Sequence, residues 1–208
     1  AAIGLVPILN FAWYGYMVGI LRNVMEDVPQ PLPTWEDLGR KFTDGLILFG
    51  AGLVYSLPIL ILLCLPISVM AFSGVISGSS DMEDLAQAIA GAGGLLFLCV
   101  FGVFGLYGIA LSIIHPAILV IFAREGTFAS CFKLRQAVDM ISRNAGPFFT
   151  AWGLSLAVNL GVGLVAAFVT TVVSFIPCLG WIIGMAFSLA AGVYIIAVYA
   201  HLFGQFGR

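Results

Sequence analysis

NAGPFFTAWGLSLAVNLGVGLVAAFVTTVVSFIPCLGWIIGMAFSLAAGVYIIAVYAHLFGQFG, residues 144–207, contains no Asp, Glu, Lys or Arg, and this decides the fold class. A helix needs about 20 apolar residues to cross the hydrocarbon core of a bilayer. The run therefore predicts two crossings, with a turn at Pro177-Cys178-Leu179-Gly180, because Pro and Gly end helices. Working outward, three further uncharged stretches cover residues 1–21, 45–80 and 85–123.

The whole chain has the same character. It is 62% hydrophobic and 9% charged, with mean hydropathy +1.13, against about 45–50% apolar and 25% charged in an ordinary soluble domain. The prediction is an all-α, polytopic transmembrane bundle over residues 1–208 as one domain, with spans near 10–27, 46–72, 94–122, 147–173 and 180–204. Residues 1–6 read as the end of an earlier, truncated span. The apolar start lacks a Met and a basic flank, so it reads as an internal piece of a longer protein and not as a signal peptide.

Charge fixes an expected orientation. Arg22, Arg40, Lys41, Arg124, Lys133, Arg135, Arg143 and Arg208 all fall on one side of the predicted spans. Loop 73–93 carries only Asp81, Glu83 and Asp84. Short loops rich in Lys and Arg stay cytoplasmic, so the basic loops and the C-terminus are expected inside and loop 73–93 outside. A net charge of −2 gives no reason to expect nucleic acid as a partner.

Each of the two complete hairpins is preceded by a predicted interfacial helix. Near 34–44, Thr34 is expected as the cap, with Asp37 at the third position; Trp35, Leu38 and Phe42 share one face, and Arg40 and Lys41 face elsewhere. Near 127–143, Phe128, Cys131, Leu134, Val138 and Ile141 share one arc, with Lys133, Gln136 and Arg143 opposite. Arg135 and Asp139 lie one turn apart and are expected to pair. Such helices lie in the headgroup layer, where Trp35 is well placed. Pro7-Ile8-Leu9-Asn10-Phe11 resembles Pro177-Cys178-Leu179-Gly180-Trp181, so both read as tight hairpins at the outer surface. A surface helix followed by a hairpin, repeated in one orientation, is not the inverted repeat of many secondary transporters.

Little in the chain suggests catalysis. Apart from Arg22, Glu26 and Asp27 toward the end of the first, the predicted spans hold no Asp, Glu, Lys or Arg, which argues against ion-coupled carriers and intramembrane aspartyl proteases. Cys64, Cys99, Cys131 and Cys178 have no ligand spacing and read as small apolar side chains; no metal site is expected. No catalytic residue, cofactor or phosphate-binding loop can be assigned. His115 and His201 lie at similar predicted depth and are the candidates for haem or pigment ligands, although an interfacial His bonded to a carbonyl or water is the favoured reading. Asn159, in mid-span, is expected to bond to another helix. Gly180, Gly184, Ser188 and Gly192, and separately Gly15 and Gly19, are spaced to form helix-packing grooves. Gly102, Gly105 and Gly108 are expected to do the same or to let their span bend.

Three runs, Arg22-Asn23-Val24, Pro31-Leu32-Pro33-Thr34-Trp35-Glu36-Asp37 and Phe42-Thr43-Asp44-Gly45-Leu46, carry a resemblance. So do Phe122-Ala123-Arg124-Glu125-Gly126 and the ending Ala200-His201-Leu202-Phe203-Gly204-Gln205. Together they resemble the prokaryotic integral membrane proteins grouped as domain of unknown function 4013. Its members usually carry a further N-terminal stretch that this chain lacks, which implies three hairpin units with the first truncated. The family has no established activity, so the resemblance implies a topology in a prokaryotic cytoplasmic membrane and no catalytic residue.

The function expected is a non-enzymatic accessory or scaffold subunit whose partners are membrane lipids and other integral membrane proteins or copies of itself. The alternative is a carrier or scramblase for a lipid or other apolar molecule. A haem- or pigment-binding subunit is third.

Overall fold

The computed structural model describes residues 10–77, 82–176 and 179–208. The described residues form helices and turns, with no strand among them. Six α-helices follow in order: α1 (Asn10–Met25), α2 (Leu38–Ile76), α3 (Glu83–Glu125), α4 (Leu134–Arg143), α5 (Ala145–Val173) and α6 (Leu179–Phe206). A short 3-10 helix, Phe128–Phe132, lies between α3 and α4. The turns expected at 7–11 and 177–180, the span end at 1–6 and part of loop 73–93 fall wholly or partly outside the described residues.

Among the described residues, four helices have the length and hydropathy to cross a membrane: Leu38–Ile76, Glu83–Glu125, Ala145–Val173 and Gly180–Phe206. The chain is thus a multi-pass helical membrane protein. The segment expected as the first complete span, 10–27, is α1, which covers 16 described residues.

The chain divides into two units, residues 1–51 with 114–208, and residues 52–113. In the first, Phe122, Phe148, Phe203, Leu21, Val24 and Leu119 are buried together, each close in sequence to a basic residue. That position has a physical reason. Apolar burial is favourable where water is the alternative, and lipid tails give helices no such drive along the spans. The core therefore forms where the bundle nears its charged ends. There α6 packs along α5 and across α1.

The second unit is an antiparallel pair, the distal part of α2 beside the proximal part of α3. The Tyr107 hydroxyl donates to the Tyr55 carbonyl (2.9 Å) and the Ser73 hydroxyl to the Ala86 carbonyl (2.7 Å). A Cβ on Gly93 would lie 3.0 Å from Met70 Cγ. Ascending positions on one helix meet descending positions on the other, which defines the direction. Most Leu, Ile and Phe side chains here point away from the pair. Gly102, Gly105 and Gly108 have open space around them.

Two local expectations are corrected. The segment 34–44 is not a separate interfacial helix: Thr34–Asp37 is non-helical, and residues from Leu38 onward run unbroken into α2. The cap is Asp37, whose carboxylate accepts the Arg40 amide at 3.4 Å, while the Thr34 hydroxyl turns to Glu36. The predicted 127–143 helix is also divided. Lys133, at φ −78° and ψ 56°, separates the 3-10 turn from α4.

Candidate functional site, a charged clasp and its cleft

The site is assembled where α1 ends and α2 begins. Gly15 and Gly45 allow the two helices to meet backbone to backbone. A Cβ on Gly15 would lie 1.8 Å from the Lys41 carbonyl oxygen, and one on Gly45 would lie 1.7 Å from the Phe11 carbonyl oxygen. No residue with a side chain fits at either point. Phe11 then packs edge-on against Phe42 and Phe49, with ring centroids 5.6 and 5.0 Å away.

Arg22, two turns past Gly15 on α1, pairs with Asp44, the neighbour of Gly45 on α2, and both side chains are largely buried. The Arg22 Nε also donates to the Ala123 carbonyl of α3 at 2.8 Å, and its guanidinium lies 6.0 Å from the centre of the Phe122 ring. A single side chain therefore joins three helices. The planar fork of arginine suits this, since its donors diverge in fixed directions. Asn23 holds the following loop by donating to the Pro31 carbonyl at 3.1 Å. Trp35 lies against Tyr16 at 4.5 Å with rings 9° from parallel, and Tyr16 stacks on Trp13 at 5.9 Å.

These contacts leave a polar cleft of about 240 Å³. Its walls carry three cations, Arg22, Arg40 and Lys41, and three carboxylates, Glu26, Asp37 and Asp44. Gly19 lies at its edge, where a Cβ would approach Pro33 Cγ to 3.0 Å. Lys41, expected at the headgroup surface, is 8% exposed. Its ammonium donates to the Asp37 carbonyl at 3.4 Å.

Chain ends close the other side of the clasp. Asp27 follows α1 at φ 58°, where Asp is tolerated better than most residues. The Val28 amide donates to Asn23 and the Asp27 amide to Val24, a helix end closed by a left-handed residue. Arg208 pairs with Asp27 and donates to the Val24 carbonyl at 2.9 Å. Arg124 donates to the Gly207 carbonyl. Gly204 and Gly207 are where α6 meets α1: a Cβ on Gly204 would lie 2.7 Å from Val24 Cβ, and one on Gly207 would lie 2.7 Å from Met25 Sδ.

α4 extends from this end. Arg135, Gln136, Asp139, Ser142 and Arg143 occupy one arc. Ala137 and Ile141 are buried against the bundle, while Leu134 and Val138 are exposed apolar side chains beside them. Lys133 binds both carboxylate oxygens of Glu125 at 2.7 and 2.8 Å. The pair expected between Arg135 and Asp139 is not among the ion pairs of the described residues. Cys131 is fully buried in the preceding 3-10 turn, and burial pushes its thiol up to about 11.

The remaining predicted residues are placed as follows. His115 lies 3.3 Å from the Tyr199 hydroxyl, and His201 lies 2.9 Å from the Gln205 amide. Tyr199 and His201 are two residues apart on α6, so they point to opposite sides of it. The two histidines are therefore not brought together. Asn159, expected to reach another helix, instead donates to the Ser155 carbonyl one turn back on α5 at 2.9 Å and is exposed. Back-bonding meets part of the amide's need without a partner. Gly180 closes the α5–α6 turn, with a Cβ position 2.1 Å from the Val173 carbonyl oxygen. A Cβ on Gly184 would make ordinary contact with Thr170 at 3.4 Å, Ser188 is exposed, and Gly192 has open space around it. Among the described residues, no three His, Cys, Asp or Glu side chains are grouped as a metal would require.

The fold and the clasp define a multi-pass α-helical membrane protein whose distinctive residues gather at one polar end. The chain belongs to the family described as Protein of unknown function (DUF4013), whose model matches residues 1–172. No curated protein and no solved structure matches it. Residues within the matched range make direct contacts in the clasp: Arg22 with Asp44, Asn23 with Pro31, and Asp37 with Arg40.

Proposed function

We propose that the protein is a non-enzymatic accessory or scaffold subunit of a prokaryotic cytoplasmic membrane, packing against other integral membrane proteins or copies of itself. The observation that carries this is the length of α2 and α3, 39 and 43 residues. Each holds about twice the residues that one crossing of the hydrocarbon layer needs. α2 beyond Asp44, and α3 between Asp84 and Arg124, carry no charged residue. Strong tilt or neighbouring helices must cover the excess, and a subunit that lays such helices along other proteins has the second means. The amphipathic α4, with Leu134 and Val138 exposed beside a polar arc, suits a position in the headgroup layer. With the basic end toward the cytoplasm, the connection between α2 and α3 lies outside; it is shorter than the loop expected at 73–93, whose residues 73–76 and 83–93 belong to the two helices.

Gentle extraction of the native protein tests the reading. Copurification with other membrane proteins in fixed stoichiometry is expected. Recovery of this chain alone, together with movement of labelled lipid in liposomes, would overturn it in favour of the second reading, a carrier or scramblase for lipid or another apolar molecule. The polar cleft at the head of apolar helices favours that second reading. A haem- or pigment-binding subunit has no comparable support, since His115 on α3 meets the Tyr199 side of α6 and His201 points to the other; visible absorption by the native protein would revive it.

A further inference from the structure

We propose that the cleft between α1 and α2 binds the headgroup of a zwitterionic phospholipid, one carrying a phosphate and an amine. Lys41 is the first reason. It lines the cleft at 8% exposure, yet its ammonium has one described acceptor, the Asp37 carbonyl, at a long 3.4 Å. An ammonium carries three donors, and a buried charge left without acceptors is costly. An anionic oxygen in the cleft meets that need. Arg40, on the same wall, makes no ion pair among the described residues and supplies a second cation.

The balance of charge selects the class of anion. Three cations are matched by three carboxylates, so the lining is neutral and a multiply charged anion gains no net attraction. Glu26, exposed on the wall and also without an ion pair among the described residues, can receive the ligand's own ammonium. A phosphate beside Lys41 and Arg40 and an amine beside Glu26 make a zwitterion the best match. Trp13, Tyr16 and Trp35 stack on one another, Tyr16 and Trp35 being the chain neighbours of the lining residues Gly15 and Thr34, and such aromatic groups favour headgroup depth, which points to a lipid as the source of the phosphate. The site stands whichever functional reading holds, since its test reads binding and not lipid movement.

The experiment titrates the purified full chain, in nonionic detergent, with short-chain phosphatidylethanolamine, with short-chain phosphatidylglycerol and with inorganic phosphate, following tryptophan fluorescence. Saturable binding of phosphatidylethanolamine is expected, at least about tenfold weaker in Lys41→Gln, because a charge-assisted hydrogen bond is lost. Arg40→Gln, at an exposed position that preserves folding, is expected to weaken it severalfold, and Lys133→Gln to leave it unchanged. Equal affinity for phosphatidylglycerol would overturn the zwitterion assignment, and equal affinity for inorganic phosphate the lipid source. Absence of saturable binding, or unchanged binding in both Lys41→Gln and Arg40→Gln, would overturn the site itself.

Discussion

The Arg22 guanidinium pairs with the Asp44 carboxylate across the α1–α2 crossing, and the same guanidinium reaches the backbone of α3. Both partners are largely shielded from water, so the pair is more costly to break than to replace. Removing one partner of a buried pair costs about 3–5 kcal/mol, whereas an apolar substitution of both can be neutral. Arg22→Met or Asp44→Leu alone is expected to lower thermal stability in detergent strongly, and the double variant by less than either. A double variant whose loss equals the sum of the single losses would show that the two residues act independently.

Gly15 and Gly45 define the closest approach of two backbones in the clasp. Gly15→Ala and Gly45→Ala are each expected to reduce the yield of monodisperse protein sharply, since the neighbouring atoms are carbonyl groups that cannot rotate away. Gly192→Ala, with open space around it, is expected to behave as the parent protein in size-exclusion profiles of detergent extracts.

Asp27 holds a left-handed conformation that costs a residue with a Cβ about 1–2 kcal/mol. Asp27→Ala should therefore destabilise more than Asp27→Gly, although both lose the contact with Arg208. Unfolding midpoints of the two variants check this. The opposite order would mean that the turn does not keep this conformation.

These three sites show what the sequence discloses and what it withholds. Apolar run length and the one-sided placement of Lys and Arg are properties of residues counted singly, so the helical membrane class was legible. Gly15 was legible because Gly19 follows it one turn later. Gly45 has no such companion, and the three-residue spacing of Gly204 and Gly207 does not reveal the side chains that face them. The Arg22–Asp44 pair joins residues far apart in sequence, and a rule that sorts charges by side of the membrane cannot pair them. The start of α2 is hidden for a local reason: Thr34 and Asp37 are both good caps, and it is the Asp37 carboxylate that accepts the Arg40 amide while the Thr34 hydroxyl turns to Glu36.

Cys131 gives a pH-dependent prediction. Its thiol keeps its proton in the folded chain up to about 11, above its ordinary value near 9, chiefly because burial disfavours the thiolate. The folded state therefore holds this proton more tightly than the unfolded state. The contribution to stability is present below about pH 9 and is lost as pH rises toward 11. A protein whose other cysteines are replaced by Ser should resist maleimide at pH 8 and react after denaturation. Rapid labelling of the native protein at pH 8 would show the turn to be open.

The most direct test of the account labels two positions in a Ser-replaced background within intact cells, using a membrane-impermeant maleimide. Gln136→Cys lies on the polar arc of α4, beside the basic clasp, and Glu83→Cys lies at the start of α3. The account predicts that Glu83→Cys is labelled in intact cells and Gln136→Cys only after permeabilisation. Labelling of Gln136→Cys in intact cells would contradict it.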